Sequence, residues 1–246
     1  MHSDFLFFLI FFLSIIQTIL GVGVLVLGTP ILLILNFSIV EAMNYLLPIS
    51  IFTSFLNLII MKYKSRDFFY FFSKLKLFFL ICVPSLFIGL LILRSLSNIF
   101  NFDFIVAFII ILSLIFKDQI VKILKRLSST FNKLMFILIG VVHGMTNSGG
   151  TLLSIFSINL NDSIEKSRIE ITFFYFFLAF FQFIIFCYIF GLDKNFYEYQ
   201  TIFIQIILGV IFGNLLIKHI NKNFFNQMIY FFALISSAFL IFKNLI

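Results

Sequence analysis

Gly140-Val141-Val142-His143-Gly144-Met145-Thr146-Asn147-Ser148-Gly149-Gly150-Thr151 interrupts an otherwise apolar segment, residues 134–160. A second interruption, Gln17-Thr18-Ile19-Leu20-Gly21-Val22-Gly23 followed by Gly28-Thr29-Pro30, falls within the apolar residues 5–35. Gly costs a helix interior about 1 kcal/mol relative to Ala, and Pro about 3. Both segments are therefore predicted to break, near residues 21–23 and 147–150. Broken backbone at membrane depth survives only where protein buries it or where it lines a wet cavity. The freed amides and the N-terminus of the following half-helix carry partial positive charge, which suits an anion without a fixed Lys or Arg.

The rest of the chain makes membrane depth the right setting. Of 246 residues, 62% are apolar and 11% charged, and the mean hydropathy is +1.19. An ordinary soluble domain is about half apolar and a quarter charged, so lipid has to serve as the solvent. Eight apolar segments emerge: 5–35, 43–61, 77–93, 104–116, 134–160, 171–192, 199–217 and 224–242. Most meet the length of about 20 residues that a crossing needs; the fourth is short unless it borrows from its flanks. Unpaired backbone in lipid makes them helices. The fold class is an all-α polytopic membrane protein, multi-pass in the inner or plasma membrane.

The net charge of +7 sits mostly in loops between these segments, where the positive-inside rule expects it. No soluble basic domain exists to bind nucleic acid. Cys82 and Cys187 fall inside apolar spans and read as small hydrophobes. No metal or other cofactor is implied. The start, Met1-His2-Ser3-Asp4, lacks a basic region and a cleavage site, so it reads as a retained segment.

The chain also repeats itself. Gln17 corresponds to His143 at an offset of 126; Ser38, Asn57 and Tyr63 correspond to Ser163, Gln182 and Tyr188 at 125; Ser85, Gly89 and Arg94 correspond to Gly209, Gly213 and Lys218 at 124. Two halves of four segments follow, about 5–116 and 134–246, joined by a basic linker at 117–133 within one transmembrane domain. Residues 62–76 and 117–133 each hold five basic residues and one acidic, whereas residues 193–198 hold one basic and two acidic. The first two loops are expected to be cytoplasmic and the third external. Corresponding loops then lie on opposite faces, and one broken, re-entrant segment per half resolves the count. The expected architecture is an inverted repeat, as recurs in transporters.

The candidate binding residues are those of the interruptions and the polar groups in nearby spans. They are Gln17, Gly21, Gly23, Thr29, His143, Asn147, Ser148, Gly149, Gly150 and Thr151, with Asn57, Gln182 and Arg168. His143 is the one ionisable residue deep in a span, which marks it as functional by default; it is equally readable as a neutral ring bonded to a carbonyl. Asn57 and Gln182 line a polar path or join helices by hydrogen bonds. Arg168 draws an anion to a cavity mouth or anchors the chain at the interface, with Glu165 and Glu170 near enough to neutralise it. Gly89 with Ser85, and Gly209 with Gly213, read as close helix packing.

With Gly21-x-Gly23 and Pro30 in the first half and Gly149-Gly150 in the second, the chain resembles the TauE/SafE family of membrane permeases, the sulfite exporters. Phe156 stands where the second proline would fall. Ala42 and Arg168 open the second segment of each half, followed by Tyr45 and Phe173, which are bulkier than usual for the family. Gly89 to Arg94 and Gly213 to Lys218 supply its later glycine-to-cation signature. The resemblance implies movement of a small sulfur-containing or other organic anion, such as sulfite or a sulfonate.

The leading function is thus a permease for a small anion. Expelling one negative charge from a negative interior gains about 2.3 kcal/mol per 100 mV, which favours export. The alternative is a non-transporting membrane factor that assists assembly of another complex. No paired carboxylates, metal cluster or Ser–His arrangement occurs in the spans, so an enzyme is not expected. The partners are the small anionic solute and the lipid bilayer, with homo-oligomerisation open.

Overall fold

The computed structural model describes residues 2–64, 72–96, 102–115, 128–191 and 199–242. Every regular element among them is helical. The first half contributes α1 (His2–Leu20), α2 (Val24–Ile34), α3 (Ile39–Lys64), α4 (Phe72–Leu96) and α5 (Phe102–Ile115). The second contributes α6 (Ser128–Thr146), α7 (Gly149–Leu160), α8 (Ile164–Phe190), α9 (Tyr199–Leu216) and α10 (Lys222–Phe242), with a 3₁₀ turn at Ile217–His219 after α9. Among the described residues, the eight apolar segments become ten helices because the two interrupted ones are each split.

The breaks fall at residues 21–23 and 147–148. Gly149 and Gly150 are not part of the second break but open α7. Both preceding helices end alike. Gly21 (φ 84°) and Asn147 (φ 65°) adopt the left-handed conformation, and their amides donate to the carbonyls of Gln17 (2.8 Å) and His143 (2.9 Å). A left-handed residue after the last turn is a common helix stop, filled by Gly or Asn because other residues meet a Cβ clash there. The two stops are 126 residues apart, the same offset as Gln17 and His143.

After each stop the chain doubles back. Gly28 of α2 lies against Leu13 of α1, and the Phe136 ring of α6 is 6.5 Å from that of Phe156 in α7. At about 1.5 Å per residue, the 11 residues of α2 and 12 of α7 reach little more than half of a hydrocarbon core about 30 Å thick. Neither crosses alone. Among the described residues, five helices are long and apolar enough to cross: α3, α4, α8, α9 with the 3₁₀ turn that follows it, and α10. Residues 65–71, 116–127 and 192–198, which carry most of the loop charge used to assign sides, lie outside the described residues.

The packing pairs each half with the other in a reciprocal way. Helix α4 packs along α6, and α9 along α1, while α3 crosses α8 and α5 meets α10. Small residues permit both long contacts. A Cβ at Gly140 would meet Ser85, and one at Gly144 would lie 3.1 Å from the Cα of Gly89. At the other contact, a Cβ at Gly209 would meet Ser14 and one at Gly213 would meet Thr18, both at 2.6 Å. The four glycines allow the backbones to close in lipid, where helix association relies on such packing.

Polar and apolar side chains are distributed as lipid demands. Phe8, Leu80, Phe108, Ile204 and Phe231 point outward. Gln17, Asn57, His143, Asn147, Gln182 and Gln205 are all buried. In water the outer surface would be a very large apolar patch. The molecule is a multi-pass helical membrane protein.

Candidate functional site

Gln17 occupies the last turn of α1 and reaches across its own break. Its Oε1 accepts from the amide of Val24 at 3.0 Å, the first residue of α2. Its Nε2 donates to the Ser50 carbonyl and to Ser54 Oγ of α3, both at 2.9 Å. One of the amides that a helix start leaves without an internal partner is thus satisfied. Among the described residues, no backbone carbonyl outside the helices accepts from the amides of Leu25 and Val26. Gly21 is required for space as well as conformation: a Cβ there would lie 2.8 Å from Ile171 Cγ2.

The second break lacks an equivalent of the Gln17 cap. Ser148 precedes α7 but makes no side-chain cap, and among the described residues no backbone carbonyl outside the helices accepts from the amides of Gly149 and Gly150. His143 stands where Gln17 stands in the first half, fully buried, and neither ring nitrogen has a partner. Asn147 instead ties the breaks together. Its Nδ2 donates to Thr29 Oγ1 of α2 at 2.8 Å, and its Oδ1 accepts from Gln182 Nε2 at 2.8 Å. Gln182 also donates to the His143 carbonyl at 3.0 Å, while its own Oε1 is unpartnered.

Tyr175 of α8 lies between the two helix starts. A Cβ on Gly150 would fall 2.5 Å from its ring, and its ring centroid is 5.8 Å from that of His143. Its hydroxyl lies near Ser50 and the backbone of Gly23, Leu25 and Val26, yet without a bond of hydrogen-bonding length. Thr151 Oγ1 is likewise unpartnered. A buried polar group left unbonded costs roughly 1–3 kcal/mol, so a cluster of His143, Tyr175, Thr151 and Gln182 beside two open helix starts is an arrangement that a polar solute would stabilise. The void lined by Gly23, Val26, Thr151 and Ser154 is about 10 Å³. That is about the lower limit for one water.

Asn57 and Arg168 form a second group, near the end of α1. Arg168 Nε donates to the Thr18 carbonyl at 2.7 Å and its Nη2 to Asn214 Oδ1 at 2.9 Å. Asn214 Nδ2 donates to Asn57 Oδ1 at 3.2 Å, and Asn57 Nδ2 donates to Thr18 Oγ1 at 3.0 Å. The ring of bonds joins α1, α3, α8 and α9. A cation at a helix C-terminus also complements the helix dipole.

The expected site residues are therefore divided. Gln17, Gly21, Gly23, Thr29, His143, Asn147, Ser148, Gly149, Gly150, Thr151 and Gln182 gather at the breaks, while Asn57 and Arg168 belong to the α1 end. The reading of His143 as the one ionisable residue deep in a span needs correction. Helix α8 starts at Ile164, so Arg168 and Glu170 lie within it. Glu170 is buried and accepts from Ser157 Oγ at 2.7 Å and Asn161 Nδ2 at 2.6 Å. Tyr175, Ser50, Ser54 and Asn214 were not singled out from sequence. Tyr175 carries one weak signal, a hydroxyl inside Phe173-Phe174-Tyr175-Phe176-Phe177. Among the described residues, no three His, Cys, Asp or Glu come together to hold a metal ion.

A family model described as sulfite exporter TauE/SafE matches residues 6–240. No curated protein and no solved structure matches the chain.

Proposed function

Because the chain belongs to the sulfite exporter TauE/SafE family, we propose that it is a permease that carries sulfite, a sulfonate or a related small organic anion outward through the paired breaks. The observation that carries this reading is the meeting of two helix starts, α2 and α7, around Tyr175 and His143, whose hydroxyl and ring nitrogens are unpartnered among the described residues. Those starts offer positive potential and donors to an anion. The pathway lacks a buried Lys or Arg at this point, which keeps binding reversible enough for release. Export follows the membrane potential, at about 2.3 kcal/mol per charge per 100 mV.

The reciprocal packing of the halves supports an inverted repeat, with residues 5–116 and 134–246 as repeats, 117–133 as a cytoplasmic linker, and α1–α2 and α6–α7 as re-entrant hairpins. The matched left-handed stops at Gly21 and Asn147 support the same reading. The membrane is the inner or plasma membrane. In this reading the conformation is an occluded one, from which α2 or α7 parts to either side.

The test is efflux from proteoliposomes over a panel of sulfite, sulfonates and carboxylates, with an inside-negative potential imposed. Flux of sulfur anions that quickens with the potential is expected. Absence of flux for the whole panel would favour the non-transporting reading.

A further inference from the structure

A cavity of about 420 Å³ opens between α3, α8, α9 and the 3₁₀ turn, apart from the breaks. Arg168, Lys218, Asn214 and Glu165 contribute its polar wall, and isoleucine and methionine side chains, including Ile60 and Ile169, the remainder. We propose that this cavity is a second binding site, for an organic anion that carries an apolar group: an alkyl sulfonate or carboxylate whose head meets Arg168 and Lys218.

Three features converge on that ligand. Two cations face one carboxylate, so the wall keeps a net positive charge. Arg168 is already fixed in place, with Nε on the Thr18 carbonyl and Nη2 on Asn214. These bonds use two of its five donors and leave Nη1 without a partner among the described residues. A guanidinium held this way offers a planar, oriented face to an oxyanion. The volume and apolar wall supply the third feature. Pockets for organic ligands run to about 300–1,000 Å³ with mainly apolar linings, whereas bare sulfite would fill little of the space and none of the apolar wall. Each methylene buried there strengthens binding about fourfold.

Placement gives the site a role. Its arginine belongs to the ring Arg168–Asn214–Asn57–Thr18, and Thr18 adjoins Gln17, which caps α2. An anion that competes for Arg168 loosens that ring next to the first break. The cavity is then an antechamber that selects organic anions by their apolar part before the breaks receive the head group. The binding claim stands even if transport follows another path.

The test is calorimetric titration of the full chain in phosphatidylcholine nanodiscs with ethane-, butane- and hexanesulfonate. Kd is expected to fall about fourfold per added methylene. Lys218→Gln, at an exposed side chain with no bond to lose, is expected to weaken butanesulfonate about fivefold or more. Lys222→Gln, a cation outside the cavity, should leave it unchanged. An affinity indifferent to Lys218, or equal for butanol and butanesulfonate, would overturn the site. Repeating the titration in phosphatidylglycerol separates the two sources of such a head group. Unchanged affinity supports a soluble anion; competitive loss would make a lipid the occupant and overturn the assignment to solute.

Discussion

Replacing Gly150 by Ala tests whether α7 must close on Tyr175. The new Cβ would lie 2.5 Å from Tyr175 Cε2, 3.0 Å from Cδ2 and 3.1 Å from Val26 Cγ2. Carbon atoms rest at about 3.5–4.0 Å, so the ring edge has to withdraw by about 1 Å. Tyr175 has little room to do so, being fully buried and packed beside the His143 ring. Over-packing of this kind costs about 1–3 kcal/mol. The cost falls on the occluded conformation, in which α2, α7 and Tyr175 meet, and not on a state where α7 has moved away. At tenfold per about 1.4 kcal/mol, the occluded state loses between about fivefold and a hundredfold in population. Each transport cycle passes through it, so efflux from proteoliposomes should fall by a similar factor while solute affinity holds or tightens. Gly150→Leu should abolish flux. The backbone at Gly150 does not have a positive φ, so the effect is one of space alone. Wild-type efflux in Gly150→Ala, with unchanged thermal stability, would refute the reasoning.

Gln17→Ala removes four bonds, one with Val24, two with Ser50 and one with Ser54; a destabilisation of roughly 2–4 kcal/mol is expected from stranding buried partners, read as a lowered Tm. His143→Gln removes no side-chain hydrogen bond, because the ring makes none, so stability should change by less than about 1.5 kcal/mol while solute affinity drops; the reverse pattern would make His143 a packing residue. Gly144→Ala puts a Cβ 2.3 Å from the Leu86 carbonyl oxygen, which the backbone cannot yield, so loss of folded protein on size-exclusion chromatography is expected, whereas a folded and active variant would contradict the close contact of α4 and α6. Single cysteines labelled from each side should place residues 62–76 and 193–198 on opposite faces of the membrane, and finding both on one face would remove the inverted repeat.

Much of this fold was legible because lipid imposes a simple rule on composition. Long uncharged stretches had to be helices, and the glycine-rich interruptions had to break them. The breaks at Gly21 and Asn147 fell within the residues expected. The role given to Gly149 and Gly150 was less legible: both are helical, and their small size serves the approach of Tyr175 and the packing on His143. Sequence spacing places glycine in a break but does not say what will face it. The partners of the site escaped for the same reason. Tyr175, Ser50 and Asn214 lie on helices far along the chain from the breaks, and a hydroxyl or amide in an apolar run carries no signature of the neighbour it will meet. Glu170, named from sequence only as a neighbour of Arg168, was left outside the span by a boundary. The apolar run starts at residue 171, but the helix begins two turns earlier because Ser163 caps it, its side chain accepting from the Lys166 amide.

The central claim, that the solute binds at the starts of α2 and α7, is tested most directly by locating it. Selenite is a heavy-atom analogue of sulfite whose selenium can be placed by anomalous scattering from crystals. The predicted result is a selenium peak between the starts of α2 and α7, within contact of the Gly150 amide and the Tyr175 hydroxyl, with the two helices drawn apart to admit it. A peak confined to the Arg168–Lys218 cavity, with the breaks still closed at saturating selenite, would contradict the claim.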